Sequence, residues 1–463
     1  MALLLPVFAG TASVTGETYT NDRDRLSAEF GSFLAAGDYA EAVHAAGEIV
    51  ALIEAADPGD PALAGAYEDL GAAQLRAGDP AAAQRSLARS LELLAGAVGI
   101  SSPSIVTPLR LLGEAYAAQD QPASAIEALQ RGISISHRAL GLFNPEQLPM
   151  IESLIGLYER VGDDEGVDRE MHHAILVSEH VYGADDPRLL PLIERLATRY
   201  EQTDRYVPSR QLWSRMVAIA SAEGGGRNAA TVNGLLGVAR SHRLQFVRDP
   251  RSIVVNTCRT DPLTGQPEPL TICTQLGRPV PLEDDGEAAA LEALRILEST
   301  PSPPPALLAA TLLELGDWYV TAHKPDTAVA YYQRAWPLLS ELATTAEPNP
   351  LLVPRPLEYR TPVAARQYVA PPGQPRAIRA IEFTLTVRAD GGAADIQPVS
   401  DAPDARLVRI RRALEDARFS PRFVDGQPVA TEGYRFVEYW HEPASLAPGV
   451  AAPDAPEEPD ASS

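Results

Sequence analysis

The fold is decided by a pattern in residues 112–129, which read LGEAYAAQDQPASAIEAL. A small residue follows the first leucine, an aspartate marks the eighth position after it, and a second leucine marks the seventeenth. The same residue types recur 42 residues apart, counted from Leu70, Leu112, Leu154 and Leu196. A fixed period of this length predicts stacked helical hairpins, because one such unit cannot bury its apolar face alone.

The repeated positions also predict how each hairpin is built. Small residues allow its two helices to approach closely, a Gly or Asp supplies the turn between them, and large residues fill the space between neighbouring hairpins. The small residues are Gly71, Gly113 and Ala197, the turn residues are Gly78, Asp120, Gly162 and Asp204, and the large residues are Leu87, Leu129, Met171 and Trp213. We therefore expect an α-solenoid with a concave binding surface.

This spacing resembles the tetratricopeptide repeat in its 42-residue form, like that of kinesin light chain, from about Asp24 to Leu339. The best single match is Leu315-Gly316, Tyr319, Ala328, Tyr332 and Ala335. Further copies around Gly37 and at Leu236-Gly237 extend the array to about seven hairpins. Two departures are Ile155, which replaces the small residue, and the Leu236 copy, which follows Leu196 by 40 residues. The resemblance implies a scaffold that binds protein partners.

Composition narrows the classes of partner. The chain has 463 residues, 45% of them apolar, and a formal net charge of -23. Such an acidic chain is not expected to bind nucleic acid or anionic membranes, both of which attract clustered Lys and Arg. After the extreme N-terminus, no apolar run approaches the roughly 20 residues of a transmembrane helix. We expect protein partners and neither a membrane span nor a small-molecule ligand.

The first residues resemble an export signal. Residues 1–13 read MALLLPVFAGTAS, with an apolar core and small residues suited to cleavage at Gly10 and Ala12, but without the usual basic start. One interpretation is a signal-like or leftover export segment over residues 1–20. The other is an apolar cap on the first helix.

Cys258 and Cys273 are the only cysteines, and they bracket a Pro- and Gly-rich stretch inserted between the two helices of the Leu236 hairpin. We expect a disulfide between them. It would close a loop of about 15 residues and stabilise the fold by about 3 kcal/mol. Such a bond persists outside the reducing cytoplasm, so it favours export. Two reduced thiols remain the alternative.

After Leu339 the helical pattern ends in a Pro-rich linker, in which Tyr359 and Tyr368 either dock on a neighbouring domain or simply belong to a spacer. From Ala377 apolar and polar residues alternate, which predicts a half-buried strand containing Phe383 and Leu385. A second strand, a helix near residues 405–417 and a last strand near residues 434–440 complete a small α+β domain with the order strand, strand, helix, strand.

This domain resembles the C-terminal domain of the TonB family. The motifs are Phe383-x-Leu-x-Val387, Asp390-Gly391, Asp395, Val399-Ser400, Ala413-Leu414, Arg418-Phe419-x-Pro421 and Asp425-Gly426-x-Pro428-Val429. The resemblance covers about Arg376 to Tyr439. It implies a periplasmic domain whose final strand pairs with an extended segment of another protein. Since a solenoid replaces the N-terminal membrane anchor of energy-transducing TonB proteins, energy transduction is not expected.

No residues have the spacing of a catalytic or metal site. His172 and His173 are adjacent on a helix and point about 100° apart, so one metal ion cannot easily bind both. His441-Glu442 lacks the second histidine of a zinc protease motif, and Gly224-Gly-Gly-Arg227 lacks the Lys and Ser/Thr of a phosphate loop. We expect no enzyme, no catalytic residue, no cofactor and no metal.

The predicted fold class is mostly α, a tetratricopeptide-like solenoid followed by a TonB-like domain. The predicted boundaries are an export segment at 1–20, the solenoid at 21–340 with an insertion at 248–284, the linker at 341–376, the TonB-like domain at 377–442 and a disordered acidic tail at 443–463. The favoured function is a non-enzymatic periplasmic adaptor for protein partners of the cell envelope. The alternatives are an envelope protein that binds a ligand or substrate through the cysteine-bracketed insertion, and a cytosolic co-chaperone-like module.

Overall fold

The computed structural model describes residues 16–222, 226–248, 252–253, 275–276, 284–344, 346–360, 376–399 and 404–443. The chain forms two compact units, Met1–Leu192 and Ile193–Ser463.

The first unit is a row of helical hairpins. Its helices are α1 (Gly16–Ala36), α2 (Tyr39–Ala56), α3 (Ala62–Arg76), α4 (Pro80–Val98), α5 (Val106–Ala118), α6 (Pro122–Leu140), α7 (Leu148–Val161) and α8 (Asp164–Tyr182). Consecutive helices pack as pairs, and the second helix of each of the first three hairpins also packs against the next hairpin. Short 3-10 turns that begin with proline, Pro103–Ile105 and Pro145–Gln147, lead into α5 and α7.

The hairpin geometry confirms the roles predicted for the repeated positions. The turn residues Gly78, Asp120, Gly162 and Asp204 all have a positive φ, between +56° and +82°. Gly113 lies so close to the second helix of its hairpin that an added Cβ would be 2.7 Å from Leu129 Cγ. Any larger residue at this position would therefore push the two helices apart.

The repeat with Ile155 achieves its close approach in another way. Ile155 itself is completely buried. The small residue of this hairpin is Gly166 on α8, where an added Cβ would be 2.6 Å from the ring of Tyr158 on α7. The substitution is thus compensated within the hairpin, because the glycine lies on the second helix instead of the first.

The helices described in the first part of the second unit are α9 (Leu190–Gln202, whose first residues belong to the first unit), α10 (Tyr206–Ala222), α11 (Ala229–Arg248), α12 (Asp284–Glu298), α13 (Pro305–Thr321) and α14 (Pro325–Leu342). Buried Glu201 of α9 links three of them. Trp213 Nε1 of α10 donates a hydrogen bond to Glu201 Oε1 at 2.8 Å, and Arg240 Nε of α11 donates to Oε2 at 2.7 Å. Between α11 and α12, the two-residue strands β1 (Ser252–Ile253) and β2 (Gln275–Leu276) pair antiparallel.

The C-terminal part consists of strands and one helix. Its elements are β3 (Arg355–Glu358), β4 (Arg376–Val387), β5 (Ala393–Pro398), α15 (Asp404–Glu415), β6 (Arg418–Ser420), β7 (Arg422–Val424), β8 (Gln427–Val429) and β9 (Thr431–Pro443). The main sheet has the antiparallel order β5-β4-β9, while β3 pairs with β6 and β7 with β8. One face of β4 is fully buried against α15 and β6, as the alternation predicted; it carries Ile381, Phe383, Leu385 and Val387.

The Pro-rich segment is part of this fold over residues 350–360. Pro350–Leu352 forms a 3-10 turn, β3 pairs with β6, and the ring of Tyr359 packs edge-on against Phe436 with centroids 4.6 Å apart. Of the two tyrosines considered for docking, Tyr359 therefore docks, and Tyr368 lies outside the described residues.

Several sequence-based expectations concern residues outside the described ranges. They include most of the export segment, Cys258 and Cys273, and the acidic tail after Pro443, and they stay predictions. α1 begins at Gly16, within the segment predicted for export. Among the helices that the structure describes, none has the length and apolar character needed to cross a membrane.

Candidate functional site

A groove of about 220 Å³ lies in the first unit between α5 and α7, the first helices of two successive hairpins. Its walls are formed by one side of each helix and its base by the second helix α6. The lining residues are Gly113, Glu114 and Ala117 of α5, Leu129 of α6, and Ser153, Gly156, Leu157 and Arg160 of α7.

Glycines serve opposite purposes in this groove. Gly113 is buried against Leu129 and brings α5 and α6 together. Gly156 is exposed, and a Cβ added to it would meet no atom within 4 Å. Gly156 therefore leaves the surface of α7 bare and deepens the groove, a place where the backbone of a bound segment can approach closely.

The rim of the groove is polar. Arg160 Nη1 donates a hydrogen bond to the carbonyl oxygen of Ala117 at 3.1 Å, so it connects α7 to α5. On α5, Glu114 forms an ion pair with Arg110. Ser153 Oγ donates to the carbonyl oxygen of Pro149 at 3.0 Å. An apolar base with charges of both signs at its edge suits a peptide or helix of a protein partner.

In the second unit, the C-terminal part is held to the last helical hairpin by a buried ionic network. Arg243 of α11 forms a two-pronged hydrogen-bonded pair with Glu314 of α13, at 2.8 and 2.9 Å. Asp317 of α13 accepts a hydrogen bond from Tyr332 Oη of α14 at 2.7 Å and another from Arg355 Nη2 of β3 at 2.8 Å. The network thus joins three helices to the first strand of the C-terminal part.

The charges in this network stabilise one another. Burial alone would lower the pKa of the Arg243 guanidinium, but the carboxylates of Glu314 and Asp317 raise it. Burial, reinforced by the neighbouring Asp317 carboxylate, raises the pKa of Tyr332 well above its usual value. Arg243 therefore stays charged and Tyr332 stays neutral throughout the physiological range.

Aromatic packing continues the same junction. Phe423 of β7 is completely buried, with its ring edge-on to Tyr332 at 5.7 Å and near Trp336 at 6.0 Å. Buried aromatic pairs of this kind contribute about 0.5–1.5 kcal/mol beyond their area. The last hairpin therefore shares a core with β3 and β7, whereas the main sheet packs in a cluster of its own.

The sheet offers a long edge strand. Within the described residues, β9 pairs with β4 alone, along most of its 13 residues. Phe436 of β9 is buried on the face that α15 covers, whereas Tyr439 is 61% exposed. An edge of this length presents backbone donors and acceptors with which a further strand can pair.

The residues singled out in the sequence are dispersed. His172 Nδ1 donates a hydrogen bond to its own helix at the carbonyl oxygen of Asp168, and His173 lies 3.4 Å from the Glu170 carboxylate. Within the described ranges, no three His, Cys, Asp or Glu side chains are grouped as metal ligands. Cys258 and Cys273, the one residue pair predicted to bond, are outside those ranges.

Sequence reasoning did not identify the groove residues. The signal that was available is Gly156, a glycine inside a helix at a position where the other repeats have larger residues, such as Glu114. Such a glycine destabilises a helix by about 0.5–1 kcal/mol, so it indicates a need for close approach.

Comparison with known proteins identifies the repeats. A family model described as "Tetratricopeptide repeat" matches residues 66–137. Residues 66–137 are accordingly tetratricopeptide repeats. No curated protein matches the chain.

Solved structures with similarity to this chain include three repeat proteins. The C-terminal part of a TPR repeat-containing protein from Cytophaga hutchinsonii is 14% identical, and the match covers 70% of this chain and 97% of that one, with a TM-score of 0.43. Putative kinesin light chain repeats from Podospora anserina are 18% identical over 40% of this chain and 88% of theirs, with a TM-score of 0.34. A tetratricopeptide repeat protein from Parabacteroides merdae is 14% identical over 69% and 93%, with a TM-score of 0.32.

Proposed function

We propose that the protein is a non-enzymatic periplasmic scaffold with two protein-binding surfaces. The helical groove binds a peptide or helix of one partner from the cell envelope. The TonB-like C-terminal domain binds another partner by strand addition. The observation that carries the proposal is the open groove between α5 and α7, whose α5 and α6 residues lie within the segment that matches the repeat model.

The groove supports the first half of the proposal because its polar groups are already in place. Arg160 is tied to the carbonyl oxygen of Ala117, so its guanidinium loses little freedom when a partner binds. Glu114 on the facing helix is held by Arg110. A partner segment with an apolar side chain and one or two charges would match both the base and the rim.

The second half rests on the TonB-family motifs and on where they lie. Gly391 has a φ of +82°, and an added Cβ would be 2.3 Å from the carbonyl oxygen of Phe419, so glycine is required in the Asp390-Gly391 turn. Phe419 N donates a hydrogen bond to the carbonyl oxygen of Gly391 at 2.9 Å. Two motifs that are distant in sequence therefore depend on each other, which supports the resemblance.

Strand addition uses the edge of β9. Backbone hydrogen bonds along such an edge supply affinity, and side chains on alternate positions supply selectivity. Tyr439, large and exposed at this edge, would pack against the added strand. The periplasmic location is supported by the signal-like start and by the cysteine pair in the sequence.

A matched pair of variants tests the groove. Gly156→Arg fills it, whereas Gly96→Arg places the same side chain on α4, at an exposed position where a Cβ also meets no atom within 4 Å. Partners are captured with each full-length variant and identified by mass spectrometry. We expect Gly156→Arg alone to lose a partner. Equal capture by both variants would refute the groove as a binding site.

Strand addition is tested by photo-cross-linking in cells. A photoreactive amino acid replaces Tyr439 on β9 or, as the control, Val408, which is equally exposed on α15. We expect adducts with envelope proteins from position 439 and few from position 408. The same set of adducts from both positions would contradict a specific role for the β9 edge.

A further inference from the structure

A basic cleft of about 550 Å³ lies in the second unit, beside the strand that joins the last hairpin to the C-terminal sheet. It is assembled from three stretches that are far apart in sequence, around residues 323, 358–360 and 409–418. The lining residues are His323 in the turn between α13 and α14, Glu358 and Arg360 at the end of β3, Arg409, Arg412 and Ala413 on α15, and Asp416 and Arg418 near β6.

The charge of the cleft is opposite to that of the chain. Four guanidinium groups line it together with only two carboxylates, whereas the chain as a whole has a formal net charge of -23. The acidic surface elsewhere repels an anionic ligand, and the cleft attracts it. Guanidinium groups pair with carboxylates in a planar, two-pronged geometry, so carboxylates are the expected counterpart.

Two of the four arginines are free to bind a ligand. Arg409 and Arg412 are exposed and one turn apart on α15, and neither guanidinium group has a hydrogen bond or ion pair with another residue in the described part of the chain. Arg360, by contrast, donates to Glu358 Oε1 at 3.1 Å, and Arg418 donates to the carbonyl oxygen of Ala417 at 2.9 Å.

Glu358 provides a hydrogen-bond acceptor on the wall of the cleft. Its side chain is only 8% exposed, and its Oε2 atom has no hydrogen-bond partner among the described residues. His323 Nε2 lies 3.4 Å from Oε2 but without hydrogen-bond geometry. A buried acceptor without a donor destabilises the protein, so a ligand that brings an N–H group would gain a hydrogen bond here.

His323 is held in an unusual backbone conformation at this cleft. It has a φ of +57°, and it occupies the turn position where other repeats have a Gly or an Asp such as Gly78 and Asp120. A left-handed backbone is unfavourable for most residues other than glycine. A histidine at position 323 places an imidazole beside Glu358. Residues with a strained backbone of this kind cluster at binding sites.

We propose that the cleft binds an extended acidic peptide in which Asp or Glu residues occupy alternate positions. Alternate side chains of an extended chain project from the same side, roughly 7 Å apart. The two guanidinium groups one helical turn apart can reach both carboxylates. A backbone N–H of the peptide donates to Glu358 Oε2. This site is additional to the groove and to the β9 edge of the proposed function.

The test measures fluorescence anisotropy of a labelled peptide of alternating Glu and Ala with the full-length protein at low salt. A peptide with Gln in place of Glu is the ligand control. The double variant Arg409→Glu/Arg412→Glu removes the free guanidinium groups. Arg411→Glu is the protein control, because it makes one such charge reversal on α15 at a residue that does not line the cleft; the single variants Arg409→Glu and Arg412→Glu are compared with it directly.

We expect the wild type and Arg411→Glu to bind the Glu peptide alike, and the double variant to bind it at least ~10-fold more weakly, equivalent to ~1.4 kcal/mol. Circular dichroism confirms that each variant is folded. Equal loss in Arg411→Glu, equal affinity for the Gln peptide, or no binding by the wild type would overturn the proposal. Displacement of the peptide by inorganic phosphate at equal concentration would overturn it too, since it would indicate a general anion site.

Discussion

Arg355 of β3 places its Nη2 atom 2.8 Å from the carboxylate of Asp317 on α13, across 38 positions of sequence. The same carboxylate accepts the hydroxyl of Tyr332, and Arg243 Nη2 lies 3.9 Å from it. One buried aspartate thus organises the attachment of the C-terminal strands to the last hairpin. The strands are therefore stabilised partly by a residue of the helical repeats.

Replacing this aspartate is expected to be strongly destabilising. Asp317→Ala leaves the guanidinium group of Arg355 without its carboxylate and the Tyr332 hydroxyl without its acceptor, and breaking such a buried pair costs about 3 kcal/mol. The free energy of unfolding, measured by urea denaturation, gives the size of the loss. Glu298→Ala removes an exposed pair with Arg334 and should change the free energy by under ~1 kcal/mol. Equal effects of the two changes would contradict a structural role for the network.

Two glycines of the same groove should respond oppositely to alanine. Gly113→Ala forces a Cβ to within 2.7 Å of Leu129 and is expected to cost about 1–3 kcal/mol. Gly156→Ala meets open space inside a helix and is expected to stabilise by about 0.5–1 kcal/mol. The thermal unfolding midpoint should fall for Gly113→Ala and rise for Gly156→Ala, relative to the wild type. A fall in both midpoints would show that Gly156 is also packed.

His242 is expected to make stability depend on pH. Burial, assisted by nearby Arg210 and opposed by Asp285, lowers the pKa of His242 to about 4. The unfolded chain, with a pKa of about 6.5, then binds the proton more readily, so stability is complete above pH 6.5 and falls as the pH drops towards 4. A full shift would be worth about 3 kcal/mol, and solvent screening at this half-buried side chain reduces it to about 1–2 kcal/mol.

Urea denaturation at a series of pH values checks the effect of His242. His242→Gln should flatten the decline between pH 6.5 and 4. His44→Gln is the control, because the His44 side chain is 72% exposed and should leave the profile as in the wild type. A wild-type profile in the His242 variant would show that other groups cause the decline.

Replacing His323 with glycine should change stability and peptide binding in opposite directions. His323→Gly relieves the left-handed backbone and is expected to stabilise the fold by about 1 kcal/mol. The same change removes the imidazole beside Glu358, so binding of the acidic peptide should weaken. On one preparation, denaturation measures the free energy of unfolding and fluorescence anisotropy measures the affinity for the acidic peptide. A loss of stability would show that the imidazole contributes more than the backbone costs.

The cysteine pair remains a prediction from the sequence. If Cys258 and Cys273 form a disulfide in the exported protein, alkylation without reduction adds no label, and alkylation after reduction adds two. Intact mass spectrometry distinguishes the two cases. Two labels on the unreduced protein would refute both the bond and its support for a periplasmic location.

Periodicity predicted the local features of the fold. The turn at Gly78 and its equivalents, the close approach at Gly113 and the buried face of β4 all depend on residues close in sequence or at a fixed spacing. A helical repeat and an alternating strand each bury one side, so the spacing of their apolar residues predicts which positions are buried. For the same reason, the sequence predicted the order of β4, β5, α15 and β9, but it did not predict β3 or the short strands β6, β7 and β8.

Features that depend on distant residues were not predictable. In the hairpin of Ile155, the small residue is Gly166 on the second helix. Predicting this requires knowing which helix faces Tyr158. The pairing of β3 with β6, which includes a hydrogen bond from Arg355 N to Ser420 Oγ, is not revealed by a Pro-rich pattern. The basic cleft combines residues up to 95 positions apart, from His323 to Arg418, so no local pattern marks it.

The pairing of β1 with β2 has a consequence for how this chain can vary. Ser252 and Leu276 are partners at the base of the insertion, while α11 and α12 pack directly on each other. Lengthening a loop whose ends are already fixed costs little, about 0.6 kcal/mol for each doubling. The insertion is therefore a point at which homologous chains can gain or lose whole segments, and at which a reporter domain can be fused, without repacking the helices on either side.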